Sequence, residues 1–244
     1  MFFTHLTATQ SDHFHRCLTG IADLFGPEHI FYGDGLITLR RNLTFLQDRD
    51  FRQAVEAAGP QTAERALIWR LHVLAWAAQL ALHRPGDFVE CGVYEGFCSR
   101  VLVEYLDFAR LPRRYYLYDI FNNSGGPGAG IQMPSHGIDL ERQVRQRFAD
   151  FPNVNIVPGF VPDSFAQAIP DQIAFLHIDM NDAGAERGAL EALYDRVSPG
   201  APIVFDDFGW QPHAAQTATI LDFFRLRTVP VLELPTGQGL VIKP

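Results

Sequence analysis

Asp87-Phe88-Val89-Glu90-Cys91-Gly92-Val93-Tyr94-Glu95-Gly96-Phe97-Cys98-Ser99 decides the fold. Its first half, 87–92, is a short, mostly apolar run closed by glycine, the pattern of a strand buried on both faces. Gly92 and Gly96 let the backbone turn tightly and approach a ligand closely before a helix over 96–108. The Gly-x-x-x-Gly spacing is not the GxGxxG dinucleotide fingerprint. Read alone, it suits an ordinary strand-to-helix turn as well as a binding loop.

The alternation continues outward from this point. Strands are expected over 114–121, 154–158, 173–178 and 201–205, with helices over 138–151, 183–197 and 211–227. Upstream, 62–82 reads as a helix that Thr62 can cap, with Glu64 favourable in its first turn. Arg70, His72 and Gln79 interrupt its apolar run. At the end, 229–233 and 239–242 read as two strands of an antiparallel hairpin at one edge. The expectation is an α/β fold: a mostly parallel seven-stranded sheet covered by helices on both faces. Residues 1–60 are patchy, broken at Gly26-Pro27 and Gly33-Asp34-Gly35, and closed by Gly59-Pro60. They are expected to form an N-terminal helical cap on the substrate side of a core domain, 61–244.

The composition narrows the function classes. The chain has 244 residues, 47% apolar and 20% charged, which suits one large domain or a core with an appendage. Lys plus Arg is 20 against Asp plus Glu at 28, so the basic surplus of a dedicated nucleic-acid binder is absent. Cys17, Cys91 and Cys98 form neither a zinc spacing nor a disulfide framework. Residues 1–10 lack a basic start followed by an apolar run, and the apolar stretch 66–82 is short and interrupted for a membrane span. A soluble, cytoplasmic protein without membrane contact is expected.

Ligands of open α/β sheets sit at the carboxyl ends of the strands. Asp119, after the second strand, can accept hydrogen bonds from both hydroxyls of a ribose; a helix cap or a solvated acid is the alternative. His177-Ile178-Asp179-Met180-Asn181-Asp182 follows the fourth strand and Asp206-Asp207 the fifth. Adjacent acids repel, and a divalent cation would offset that. Asp179, Asp206 and Asp207 therefore suit Mg²⁺, unless one merely caps the next helix and another is solvated. His177 reads as a packed histidine, and His13, His15 and the N-terminal aromatics as packing residues. The long glycine-rich loop 122–137 is a candidate lid, and His136 on it a candidate acid or base.

Phe88-Val89-Glu90-Cys91-Gly92-Val93-Tyr94-Glu95-Gly96, Tyr118-Asp119-Ile120-Phe121, His177-Ile178-Asp179-Met180-Asn181 and Phe205-Asp206-Asp207-Phe208-Gly209 occur in this order. Together they resemble the macrocin O-methyltransferase-like family of S-adenosylmethionine-dependent enzymes, whose members methylate hydroxyls, often on sugars of natural products. The resemblance runs from about residue 41 to the end. The close, Leu234 to Leu240, resembles a branch associated with surface polysaccharides or secondary metabolites. The family implies a Rossmann-like class I methyltransferase fold. It implies that Glu90, Gly92, Tyr94, Gly96 and Ser99 surround the methionine half of the cofactor, that Asp119 binds its ribose, and that Phe160 lies near its adenine. It implies Mg²⁺ on Asp179, Asp206 and Asp207. One departure stands out: antibiotic-sugar members carry Asp-Gly-Asp after the fourth strand, where this chain has Asp179-Met180-Asn181, and Asn181 cannot act as a carboxylate base.

The implied reaction is attack of a small-molecule hydroxyl, a sugar hydroxyl above all, on the sulfonium methyl. Proton removal falls to Asp179, to His136 or to water. Two rival readings remain at this stage: a metal-dependent glycosyltransferase and a non-catalytic cofactor-binding scaffold. A nicotinamide dehydrogenase lacks its glycine fingerprint. A homo-oligomer is possible, because the N-terminal aromatics suit a subunit contact as well as a cap folded on its own core.

Overall fold

A parallel strand covered on both faces needs apolar residues on both sides, and β3, Asp87–Cys91, has Phe88, Val89 and Cys91 fully buried. The computed structural model describes residues 6–121, 134–137 and 139–244. Among these, β3 pairs in parallel with β4, Tyr115–Asp119, on one side and β6, Ile173–Ile178, on the other. β5, Val154–Pro158, extends the sheet beyond β4, and β7, Pro202–Phe205, beyond β6. β9, Gly239–Ile242, and the two-residue β8, Leu232–Glu233, complete the order β5-β4-β3-β6-β7-β9-β8. β9 runs antiparallel to both β7 and β8. The sheet is the expected mostly parallel, seven-stranded one with an antiparallel close.

The pleat sorts the core into two layers. Phe88, Leu117 and Phe175 face α4, Ile68–Ala81, and α5, Phe97–Tyr105. Val89, Leu176 and Ile203 face α7, Ala183–Leu193, and α8, Ala214–Arg225. α6, Leu140–Arg147, joins the first layer through Leu140 and Val144. α4 buries seven of its fourteen residues, and its alanines at 75, 77, 78 and 81 allow close approach to the sheet.

The expected helix over 62–82 is two pieces. α3, Thr62–Arg65, ends in short turns from Ala66 and Leu67 to Ala63 and Glu64, and α4 starts afresh. Gln61, not Thr62, is the cap residue of α3, with its N–H donating to Glu64 Oε2 at 2.6 Å. The helices expected over 138–151, 183–197 and 211–227 are shorter, because their last or first turns are 3-10 or irregular.

Within the first 60 residues, α1, Ala8–Phe25, opens with a Thr7/Gln10 capping box and has no fully buried residue. A hairpin follows, β1, Ile30–Gly33, and β2, Leu36–Leu39, which the breaker reading of Gly33-Asp34-Gly35 did not foresee. Asp34 and Gly35 have φ of 49° and 79°, the two positive values a tight right-twisted hairpin turn requires. α2, Arg49–Ala57, is capped by Asp48 and buries Phe51, Ala54 and Val55 in the α4–α5 layer. No helix among the described residues is long and apolar enough to cross a membrane. The greater part of the expected lid, 122–133, lies outside the described residues.

Candidate active site

The carboxyl ends of β3, β4, β6 and β7 lie side by side, so their first loop residues converge. Gly92 N–H donates to Tyr118 O at 2.8 Å, Asp179 N–H to Cys91 O at 2.8 Å, and Asp206 N–H to Ile178 O at 3.0 Å. β3, with β4 on one side and β6 on the other, is the topological switch point at which such sheets bind ligands.

The glycine turn is braced by Asp119. Its Oδ2 accepts from Val93 N at 2.7 Å and Tyr94 N at 2.8 Å, and its Oδ1 from Phe121 N at 2.8 Å. His136 Nε2 lies 3.4 Å from Oδ1. Burial opposes ionisation of Asp119, but His136 and the backbone donors outweigh it and hold the carboxyl below its ordinary range. Tyr94 accepts from Ser135 N through its hydroxyl at 3.0 Å and meets the His136 ring edge-on at 5.3 Å. His136 thus sits at the mouth of the turn and not in the carboxylate cluster. Gly96 is the cap residue of α5.

Beneath the turn, Glu90 is buried and accepts from Ser99 Oγ at 2.6 Å and Tyr115 OH at 2.7 Å. His177 lies between Glu90 Oε1, 3.4 Å from Nδ1, and Asp206 Oδ1, 3.6 Å from Nε2. Burial works against its charge, but the two carboxylates raise its pKa to about 10, so it links the turn to the next strand end as a cation. Phe160 is half-buried in the loop after β5, tied to β4 by Gly159 N–H on Asp119 O at 2.9 Å. Nearby, the buried Ser164 hydroxyl has no protein partner. An unpartnered hydroxyl beside that loop, with the turn and Glu90, fits a polar ligand such as an adenosyl group lying across the strand ends.

Asp179, Asp206 and Asp207 each present an oxygen within 4.8 Å of the others. Burial and the other two acids push Asp179 well up, and burial with Asp206 pushes Asp207 up to about 6. Asp206 is held down against burial by Arg70, His177 and Gln238. Such crowded oxygen donors with surplus negative charge suit a hard divalent cation. Asn181 adopts φ of 55° in the turn out of β6, a conformation asparagine tolerates and most residues do not. Asp182 caps α7 by accepting from Ala185 N at 2.7 Å, so it is committed elsewhere.

The sequence reading missed Arg70 and Asp34, which back the cluster, and the chain Asp207–His213–Gln216–Glu186 behind it. The last three are buried, with His213 Nδ1 2.9 Å from Gln216 Oε1 and Gln216 Nε2 donating to Glu186 Oε1 at 3.1 Å. The only signal for Arg70 was a charge inside an apolar run. Burial, with Asp207 and Asp182 nearby, outweighs the Gln216 bond and pushes Glu186 up to about 8 from 4.5. The unfolded chain therefore releases this proton first, and Glu186 makes stability fall as pH rises from about 4.5 to 8, by at most about 1.4 kcal/mol per pH unit. Glu186→Gln removes that component: the melting temperature of the variant, measured by circular dichroism, falls less than that of the wild type between pH 5 and 8. Parallel curves would contradict the assignment.

The family model described as Macrocin-O-methyltransferase (TylF) matches residues 70–230. A Streptomyces olivaceus protein, 8-demethyl-8-(2,3-dimethoxy-alpha-L-rhamnosyl)-tetracenomycin-C 4'-O-methyltransferase, is 31% identical over 146 residues, 51% of this chain and 53% of that one. The chain thus spans about half the length of the curated relative it matches. Among solved structures, the O-methyltransferase NovP aligns with a TM-score of 0.58 at 21% identity, over 72% of this chain and 80% of that one. Calicheamicin methyltransferase CalS11 gives 0.54 at 16%, over 83% and 93%. The O-methyltransferase from Bacillus cereus in complex with SAH gives 0.51 at 13%, over 83% and 92%. These structural likenesses establish a class I methyltransferase fold.

Proposed function

The chain belongs to the macrocin O-methyltransferase family, and from that premise we propose that it moves the methyl group of S-adenosylmethionine to a hydroxyl of a sugar or similar natural-product or polysaccharide precursor, with Mg²⁺ at the carboxylate cluster. One observation carries the reading: an Asp119-braced glycine turn and a three-carboxylate cluster stand at adjacent strand ends. The turn suits the cofactor, and the cluster suits an acceptor hydroxyl beside it.

In this reading Glu90 and Ser99 form the floor under the methionine end, with Gly92, Tyr94 and Gly96 as its wall. Asp119 holds the turn in shape, and a ribose hydroxyl would take the place of His136 on its Oδ1. Phe160 covers the adenine side. Asp179, Asp206 and Asp207 would hold the cation, which when bound supplies acidification and positioning of a hydroxyl. S-adenosylmethionine, when bound, would supply the methyl group: a carbon–oxygen bond would replace its carbon–sulfur bond, with S-adenosylhomocysteine and the hydroxyl proton leaving. Asp179, whose carboxylate stands in the cluster beside the acceptor hydroxyl, is the candidate to take that proton. His136, bound toward Asp119, serves the cofactor side. The chain's residues otherwise act by holding oxygen, methyl and sulfur in line. The N-terminal segment, 1–60, and the loop 122–137 select the acceptor. No observation favours a metal-dependent glycosyltransferase or a non-catalytic scaffold.

The test is transfer from methyl-labelled S-adenosylmethionine to a panel of nucleotide-activated and aglycone-linked deoxysugars, read by mass spectrometry. Methylation of at least one member, lost under chelation and restored by Mg²⁺, is expected. Equal transfer under chelation would remove the cation from the mechanism, and cofactor binding with no transfer to any sugar would remove the acceptor class.

A further inference from the structure

Among the described residues, Arg70 is the one buried arginine or lysine, and the proposed chemistry gives it no task. Its Nε donates to Asp34 Oδ2 at 2.6 Å. Its Nη1 donates to Asp206 Oδ2 and lies 3.5 Å from Asp207 Oδ1. The guanidinium carbon lies 5.0 Å from the centre of the Trp210 ring. Asp34 is the tip of the β1–β2 hairpin, and a Cβ on the adjoining Gly35 would come within 3.2 Å of Trp210. The hairpin tip is therefore built against the back of the carboxylate cluster, through a salt bridge whose members are each about 7% exposed.

We propose that Asp34–Arg70–Asp206 is a charge latch that sets the divalent-cation affinity of the Asp179, Asp206 and Asp207 cluster and couples it to the N-terminal hairpin. This rests on the cation reading of that cluster above. Arg70 is always charged, and it competes with an incoming cation for two of the three carboxylates. Asp34 opposes it by holding the other edge of the guanidinium. Without Arg70 the cluster is more negative and binds a cation more tightly. Without the Asp34 charge, Arg70 belongs to Asp206 and Asp207 alone, and the cation binds more weakly. Both changes break the same buried ion pair, so a merely structural role would move them in the same direction; the latch moves them in opposite ones. By linkage, cation binding loosens the hold on the hairpin by the same factor.

The probe is Mn²⁺, titrated into the full chain and followed by the paramagnetic resonance of free Mn²⁺. Arg70→Met is expected to bind on the order of tenfold more tightly than wild type and Asp34→Asn on the order of tenfold more weakly. Both Arg70→Met and Asp34→Asn weakening together, or neither changing, overturns the latch. Should Arg70→Met fail to fold, Asp34→Asn decides: affinity equal to or above wild type overturns the proposal. No Mn²⁺ binding by any of these proteins overturns the cation reading and the latch with it. S-adenosylhomocysteine binding in the same samples reports on the cofactor reading separately.

Discussion

Gly92→Ala is expected to abolish measurable S-adenosylhomocysteine binding and to lower the melting temperature by about 10 °C. Gly92 sits at φ of +92°, and a Cβ there would lie 1.8 Å from the carbonyl oxygen of Asp179 and 2.4 Å from its carbon. Both atoms are backbone, so no rotamer change gives room. Either the turn leaves β6 or the end of β6 leaves the turn. The first movement pulls Val93 and Tyr94 off Asp119, and the second pulls Asp179 away from Asp206 and Asp207. Overpacking, a positive φ and the lost Asp179–Cys91 bond together cost about 3–5 kcal/mol, which for a chain of this size is roughly 10 °C. Gly20 is the control: nothing lies within 4 Å of its Cβ position and it is in α1, so Gly20→Ala leaves stability equal or slightly higher. Calorimetric titration and thermal melting of both variants check the expectation; a Gly92→Ala protein that melts and binds like wild type contradicts the turn geometry.

Asp207→Asn is expected to lower methyl transfer about 100-fold or more while leaving S-adenosylhomocysteine affinity within about threefold. Asp207 is the carboxylate of the cluster whose charge can be removed most cleanly. Its cationic or donor neighbours are Arg70, with Nη1 3.5 Å from Oδ1, and His213, with Nε2 3.8 Å from Oδ2, and the single oxygen of an amide keeps one of the two. Neither of these partners belongs to the glycine turn. Asp206 is a poorer choice, because it holds Arg70, Gln238 and His177 together. Asp206→Ala would leave Arg70 with a buried, partly uncompensated charge, a change that costs about 3–5 kcal/mol of stability and blurs the readout. Steady-state transfer with and without Mg²⁺, set beside cofactor titration, checks the prediction. Unchanged transfer by Asp207→Asn contradicts the role of the cluster, and parallel loss of cofactor binding contradicts the separation of the two halves of the site.

The sheet was legible because buried parallel strands announce themselves: Phe88, Val89 and Cys91, or Ile173 through Ile178, leave no room for another reading. The candidate acids were legible for a related reason, since Asp119, Asp179, Asp206 and Asp207 each directly follow or close an apolar run. The β1–β2 hairpin was not, because its strands are four residues long and half exposed, so Asp34-Gly35 read as a break and not as a turn. The break between α3 and α4 was equally hidden, because Ala66 and Leu67 carry no helix-stopping chemistry. Arg70 was visible as an interruption, but its partners stand 36 and 136 residues away, a distance no local pattern spans. The same holds for Glu90, whose neighbours Tyr115 and His177 come from the two flanking strands. Asn181, visible as a departure in the resemblance, has a backbone reason once its positive φ is known.

Calorimetric titration of the chain with S-adenosylhomocysteine decides whether the strand ends of β3 and β4 hold S-adenosylmethionine. Micromolar binding with or without Mg²⁺ is expected, lost on Asp119→Ala because Val93 and Tyr94 lose their shared acceptor. No binding in either condition would contradict the cofactor reading.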